Sequence, residues 1–109
     1  MNNSDKKRLQ NQTAIVTGAE SGIGKAIAIQ LAGEGANVVV NYIANKDEAQ
    51  NVADTAKNAG GEAIIFKADV SKEDQVKEMF NKTIETFGRL DILINNAGIQ
   101  KDAPIDKMT

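Results

Sequence analysis

The residues with the clearest chemical potential are Thr17-Gly18-Ala19-Glu20-Ser21-Gly22-Ile23-Gly24, which stand where a short apolar run gives way to a helical pattern. Glycines at such a junction allow a tight turn, let backbone N–H groups approach a pyrophosphate, and let the helix N-terminus lie close to a sheet. The chemistry on offer is therefore anion binding by main chain. Spacing excludes two other nucleotide loops. The mononucleotide loop needs Gly-x-x-x-x-Gly-Lys-Ser/Thr, but five residues separate Gly18 from Gly24, and Lys25 is followed by Ala26 rather than a hydroxyl for Mg²⁺. The commoner dinucleotide pattern Gly-x-Gly-x-x-Gly also fails, because these glycines run Gly-x-x-x-Gly-x-Gly. A glycine-rich turn that binds nothing is the plain alternative.

Side-chain chemistry is restricted. With no His and no Cys in the chain, a thiol nucleophile, a His base, a Cys/His metal site and a disulfide framework are all excluded within these residues. Thirteen Lys and Arg against fifteen Asp and Glu give a net charge of −2, so no basic field exists to attract nucleic acid.

The elements that must hold the loop alternate short β-branched runs with longer segments of helical period. Strands are predicted over 13–17, 37–41, 63–66 and 90–94, each nearly continuous in apolar residues, as strands buried on both faces should be. Helices are predicted over 23–34, 46–59 and 72–87. In the second, Ala49, Val52, Ala53 and Ala56 fall at helical spacing, and in the third Val76, Phe80, Thr83, Ile84 and Phe87 line one face. Gly35, Gly60 and Gly88 follow the helix ends, and Ser71-Lys-Glu-Asp74 has the spacing of a capping box. This is the βαβ pattern of a parallel sheet. Right-handed crossovers give an α/β, Rossmann-type doubly wound sheet of order 3-2-1-4, with the first two helices on one face and the third on the other.

In this chain of 109 residues, 41% hydrophobic and 26% charged, residues 1–11 read as a polar tail and 12–109 as the N-terminal part of a single domain. No secretory h-region and no run of 18 apolar residues is present, so a cytoplasmic protein without membrane contact is expected. Residues 100–109 read as a loop, with a helix entered at Pro104; Lys101, Asp102 and Asp106 are expected to be solvated there. The 90–94 strand would be an open apolar edge, so these residues alone are expected to be aggregation-prone and inactive.

The Thr-Gly-x-x-x-Gly-x-Gly loop, followed in order by Asp69-Val70 and Asn95-Asn96-Ala97-Gly98, resembles the classical short-chain dehydrogenase/reductases over residues 11–109. The resemblance implies that Gly18, Ser21, Gly22, Ile23 and Gly24 surround the diphosphate and adenosine phosphate of a dinucleotide. It also implies that Asp69 accepts from the adenine amino group, Val70 packs on the ring, and Asn96, Ala97 and Gly98 run along the ribose. Each has a plainer rival: Asp69 as a helix-entry carboxylate, Asn95 as a tie between strand ends.

An acid near the end of the second strand would receive the ribose 2′-hydroxyl and repel a 2′-phosphate. Asn41 and Tyr42 stand there instead and are expected to be the cofactor-binding residues of that position. Ser21 occupies a position where members preferring NADP often carry Arg or Lys, and Lys25 and Lys46 are the nearest cations. NADP acceptance is expected, with NAD also usable. The resemblance places the catalytic Ser, the Tyr-x-x-x-Lys pair and a supporting Asn beyond the fourth strand and past Thr109, so no catalytic residue is assigned here. Tyr42 and Lys46 mimic that spacing, but at the adenosine side.

The implied activity is hydride transfer between a nicotinamide and a hydroxyl or carbonyl substrate, in a homotetramer when full length. Val38-Val-Val-Asn-Tyr42 and Asn95 to Pro104 look most like bacterial glucose 1-dehydrogenases, with 3-oxoacyl-carrier-protein reductases close behind. A non-catalytic dinucleotide-binding or regulatory protein is the alternative of another class. A methyltransferase of similar topology would want an acid at the end of the first strand, where Thr17-Gly18 stands.

Overall fold

The computed structural model describes residues 8–96. Its elements follow in the order β1 (Thr13–Val16), α1 (Gly22–Gly33), β2 (Asn37–Tyr42), α2 (Lys46–Ala59), β3 (Glu62–Lys67), α3 (Glu73–Phe87) and β4 (Ile92–Ile94). All strand pairs are parallel, in the order β3-β2-β1-β4. The expected topology is therefore present, with element ends shifted by one or two residues.

Alternation along the two central strands divides the core. Val16, Val38 and Val40 face α1 and α2, where Ala28, Ala32, Ala49, Val52, Ala53 and Ala56 complete one cluster. Ile15 and Val39 face the other way, toward Met79 and Ala68. Each fully buried Val or Ile contributes about 1.5–3 kcal/mol, so the two central strands anchor the sheet. Small residues at Gly24, Ala28 and Ala32 let α1 lie close to β1 and carry the glycine loop with it.

Three expectations need correction. The capping box at Ser71 does not form: the N-cap of α3 is Lys72 with no side-chain bond, because Asp69 Oδ1 accepts from both the Ser71 N–H and its Oγ. The buried face of α3 centres on Met79 and Thr83, while Ile84 is exposed. Ile84 lies one position too far round, and no element covers it among the described residues. Finally, residues 8–11 are docked rather than trailing. Leu9 packs against the larger cluster and donates its N–H to the Glu34 carbonyl at 2.8 Å.

The Leu90–Asp91 segment precedes β4 instead of belonging to it. Asp91 Oδ2 accepts the Thr13 N–H at 2.9 Å, and Arg89 grips the same carboxylate through Nε and Nη2 at 2.8 and 2.7 Å. The carboxyl is thereby held below its ordinary range, first by the Arg89 hydrogen bond and then by the Thr13 N–H. Leu93, paired in register with Ile15, is half exposed on the outer strand. Among the described residues β4 pairs with β1 alone.

Candidate functional site

The β1–α1 loop lies at the C-terminal end of the sheet, where ligands bind in open parallel α/β folds. Gly18 and Gly22 have φ of 60° and 64°, the left-handed region that a side chain rarely adopts. Gly24 is required for a different reason. A Cβ there would lie 2.5 Å from the Gly18 carbonyl oxygen and 2.6 Å from Asn96 Nδ2, so only hydrogen allows the first turn of α1 to close under the loop.

The loop is tied to three strands. Asn41, fully buried, accepts the Gly18 N–H on Oδ1 at 3.1 Å and donates Nδ2 to the Phe66 and Ala68 carbonyls at 3.3 and 3.1 Å. Its own carbonyl accepts the Ala19 N–H at 2.9 Å. Asn96 Nδ2 donates to the Gly18 carbonyl at 3.2 Å, and the Thr17 N–H donates to the Ile94 carbonyl at 3.0 Å. Thr17 Oγ1 reaches Asn95 Oδ1 at 3.5 Å, in keeping with Asn95 as a tie between strand ends.

The N-terminus of α1 is prepared for an anion. Ser21 is its N-cap without a side-chain cap bond, and no acidic residue lies in the first turn. In contrast, α2 is capped by Asn45 and carries Asp47 and Glu48, and α3 carries Glu73 and Asp74. Of the three helices, α1 alone combines an N-terminus without a side-chain cap with a first turn free of acids, so the positive end of its dipole is unopposed there. Ile23 stands out from this turn, 64% exposed. One more feature marks the loop: Glu20 Oε1 is buried without a hydrogen-bond partner. A backbone cradle closed by Gly24 and an uncapped helix end fit a pyrophosphate-linked dinucleotide.

The remaining expected residues divide. Gly18, Ser21, Gly22, Ile23, Gly24 and Asn96 are gathered at the loop. Asn41 is adjacent but acts on Gly18, with its side-chain donors and acceptor engaged by main chain. Tyr42 is 7% exposed and packs in the core cluster with Ala49 and Val52, whereas Lys46 is exposed at the start of α2; this agrees with reading their spacing as a mimic. Asp69 forms a turn with Ser71, and its N–H is held by Gln75 Oε1 at 2.8 Å. Val70 packs on the cluster around Met79. Ala97 and Gly98, like residues 100–109, lie outside the described residues.

Sequence reasoning missed the main-chain bonds made by the Asn41 amide, and it held no signal for the unpartnered Glu20 Oε1. Among the described residues no group of acids could hold a metal ion, and no helix is long and apolar enough to cross a membrane.

The chain matches the family model for short chain dehydrogenase over residues 12–109. It is 49% identical over 98 residues to the 3-oxoacyl-acyl-carrier-protein reductase of Staphylococcus epidermidis, covering 90% of this chain and 40% of the relative. It is 46% identical over 99 residues to the versicolorin reductase of Emericella nidulans, covering 91% of this chain and 38% of the relative. The chain thus spans about two-fifths of the length of these relatives. Among solved structures, a hydroxysteroid dehydrogenase from Escherichia coli superposes with a TM-score of 0.76 at 39% identity, over 86% of this chain and 39% of that one. A Burkholderia cenocepacia protein described as a dehydrogenase with bound NADP gives 0.76 at 33% identity, over 80% of this chain and 34% of that one.

Proposed function

This chain belongs to the short-chain dehydrogenase family, and from that premise we propose that it is the dinucleotide-binding part of an NAD(P)-dependent oxidoreductase acting on a hydroxyl or carbonyl substrate. The observation that carries the reading is the cradle at Gly24, where the Gly18 carbonyl and Asn96 leave room for hydrogen and nothing larger. That packing brings the uncapped N-terminus of α1 up to the loop, so main-chain N–H groups of Gly22, Ile23 and Gly24 face a diphosphate.

When bound, the dinucleotide supplies hydride exchange at C4 of its nicotinamide. The residues of this chain bind and orient it: Gly18, Ser21, Gly22, Ile23 and Gly24 hold the diphosphate and adenosine phosphate. Asp69 and Val70 receive the adenine, and Asn96, Ala97 and Gly98 run along the ribose. The proton of the substrate hydroxyl needs an acid–base group, and we place that Ser and Tyr-x-x-x-Lys set beyond Thr109. Absence of an acid at the end of β2 supports NADP acceptance alongside NAD.

Among substrates, the glucose 1-dehydrogenase reading rests on the Val38–Tyr42 and Asn95–Pro104 stretches. The 49% identity to a 3-oxoacyl-acyl-carrier-protein reductase supports a 3-oxoacyl thioester at least as well. A cytoplasmic homotetramer, with 12–109 forming part of one domain, completes the proposal. It is tested by purifying the intact natural protein and following nicotinamide absorbance with glucose and with a 3-oxoacyl thioester. Dinucleotide binding with no turnover of any alcohol or ketone would favour a regulatory dinucleotide-binding protein instead.

A further inference from the structure

We infer that Gln75 is a positioning residue for adenine recognition: with Asn41 it clamps the Ala68–Asp69 peptide from both sides and so fixes the direction in which the Asp69 carboxylate is presented. This rests on the dinucleotide reading above. Asp69 donates its N–H to Gln75 Oε1 at 2.8 Å, and the carbonyl of the same peptide, that of Ala68, accepts Asn41 Nδ2 at 3.1 Å. Two side-chain amides from different elements thus hold one peptide plane, which cannot turn without leaving a donor or an acceptor unpaired.

Gln75 is the third residue of α3, whose N-cap is Lys72. In a capping box the side chain at that position turns back to the N-cap N–H. Here it passes the N-cap and takes the N–H of Asp69, three residues earlier. A side chain that only started the helix would serve Lys72; this one serves Asp69.

The rest of the turn holds Asp69 in the same way. Its Oδ1 accepts from the Ser71 N–H at 3.0 Å and from the Ser71 hydroxyl at 2.7 Å, and its carbonyl accepts the Lys72 N–H at 2.9 Å. With the peptide fixed by two amides and one carboxylate oxygen fixed by Ser71, both the backbone and the side-chain rotamer of Asp69 are set before a ligand arrives, which lowers the ordering cost of binding. Asn41 also accepts the Gly18 N–H, so one amide sets this turn relative to the glycine loop.

A carboxylate held in this way selects for the exocyclic amino group of adenine, a donor. The hypoxanthine analogue of the dinucleotide has a carbonyl oxygen at that place and presents an acceptor to an acceptor. Without Gln75 the peptide loses one of its two grips, and the selection for the amino group falls. A purely structural loss would weaken both dinucleotides alike.

The test uses the intact natural protein, with dissociation constants measured by calorimetry for NADH or NADPH, whichever binds more tightly, and for its hypoxanthine analogue. The natural protein is expected to prefer the adenine form by about tenfold. Gln75→Met keeps the length of the side chain but removes the acceptor, and should cut that preference to about twofold. Gln75→Glu keeps an acceptor and should restore it. Thermal unfolding curves check each variant, and Gln75→Asn, one carbon shorter, takes the place of Gln75→Met if that variant does not fold. An unchanged preference in the folded Met or Asn variant overturns the role of Gln75 and leaves the dinucleotide reading standing, and so does an equal loss in the Met and Glu variants, which assigns the effect to packing. Equal binding of the two forms by the natural protein overturns this inference alone. No binding of NADH or NADPH overturns the dinucleotide reading, and this inference with it.

Discussion

Asn41 Oδ1 accepts the Gly18 N–H at 3.1 Å, while Asn41 Nδ2 donates to the carbonyls of Phe66 and Ala68. One buried amide thus joins the glycine loop to the ends of β2 and β3. Asn41→Leu keeps a similar volume but leaves these main-chain groups without their partner. We expect a loss of about 2–3 kcal/mol in urea unfolding, together with weaker dinucleotide binding, because the Gly18 turn loses its tether.

Gly24→Ala tests the cradle. Its Cβ would lie 2.5 Å from the Gly18 oxygen and 3.1 Å from Ala19 Cα, both main chain, so the loop or the helix end must move. A stability cost of about 1–3 kcal/mol is expected, and calorimetry should register loss of dinucleotide affinity beyond what that cost explains.

Gly88 is the contrasting case. It ends α3 at φ 83°, yet nothing lies within 4 Å of where its Cβ would be. Gly88→Ala should cost about 1–2 kcal/mol through backbone strain alone, Gly88→Asn less, and neither should alter dinucleotide binding. Urea midpoints and binding constants on the same samples separate the two glycine effects.

Asp91 gives a pH dependence of known sign. Its carboxyl is held below the ordinary value by Arg89 and by the Thr13 N–H. The charged form therefore favours the folded state at any pH above the ordinary Asp range, and the advantage fades as acid brings the pH down through the lowered value. Natural protein and Asp91→Ala should differ in urea midpoint at neutral pH and converge in strong acid. Because the pair with Arg89 meets solvent, the difference should be small and reduced by salt.

Leu93 is 51% exposed on β4. Residues 1–109 produced alone should self-associate through this edge, and Leu93→Lys should lower the sedimentation-average mass.

Patterning made much of this protein readable without coordinates. The interval 46–59 was legible to the residue, because Ala49, Val52, Ala53 and Ala56 show one apolar face and Gly60 ends it. The order of the strands followed from handed crossovers, and the glycine loop from its own spacing. At two of the places where prediction erred, a side-chain hydrogen bond had intervened, one local and one distant. Ser71 caps nothing because Asp69 takes its N–H and hydroxyl, and β4 starts late because Asp91 is bonded to Thr13, 78 positions away.

By itself, then, the order of residues determined the period of each element, the parallel topology and the anion-binding loop, since these depend on neighbours along the chain. Tertiary structure alone decided that the Asn41 amide ties Gly18 to Phe66 and Ala68, and that Glu20 Oε1 is buried without a partner. Hydrogen bonding in a folded interior depends on which main-chain groups arrive within about 3 Å, and residues from β1, β2, β3 and β4 meet at this loop only after the sheet has formed.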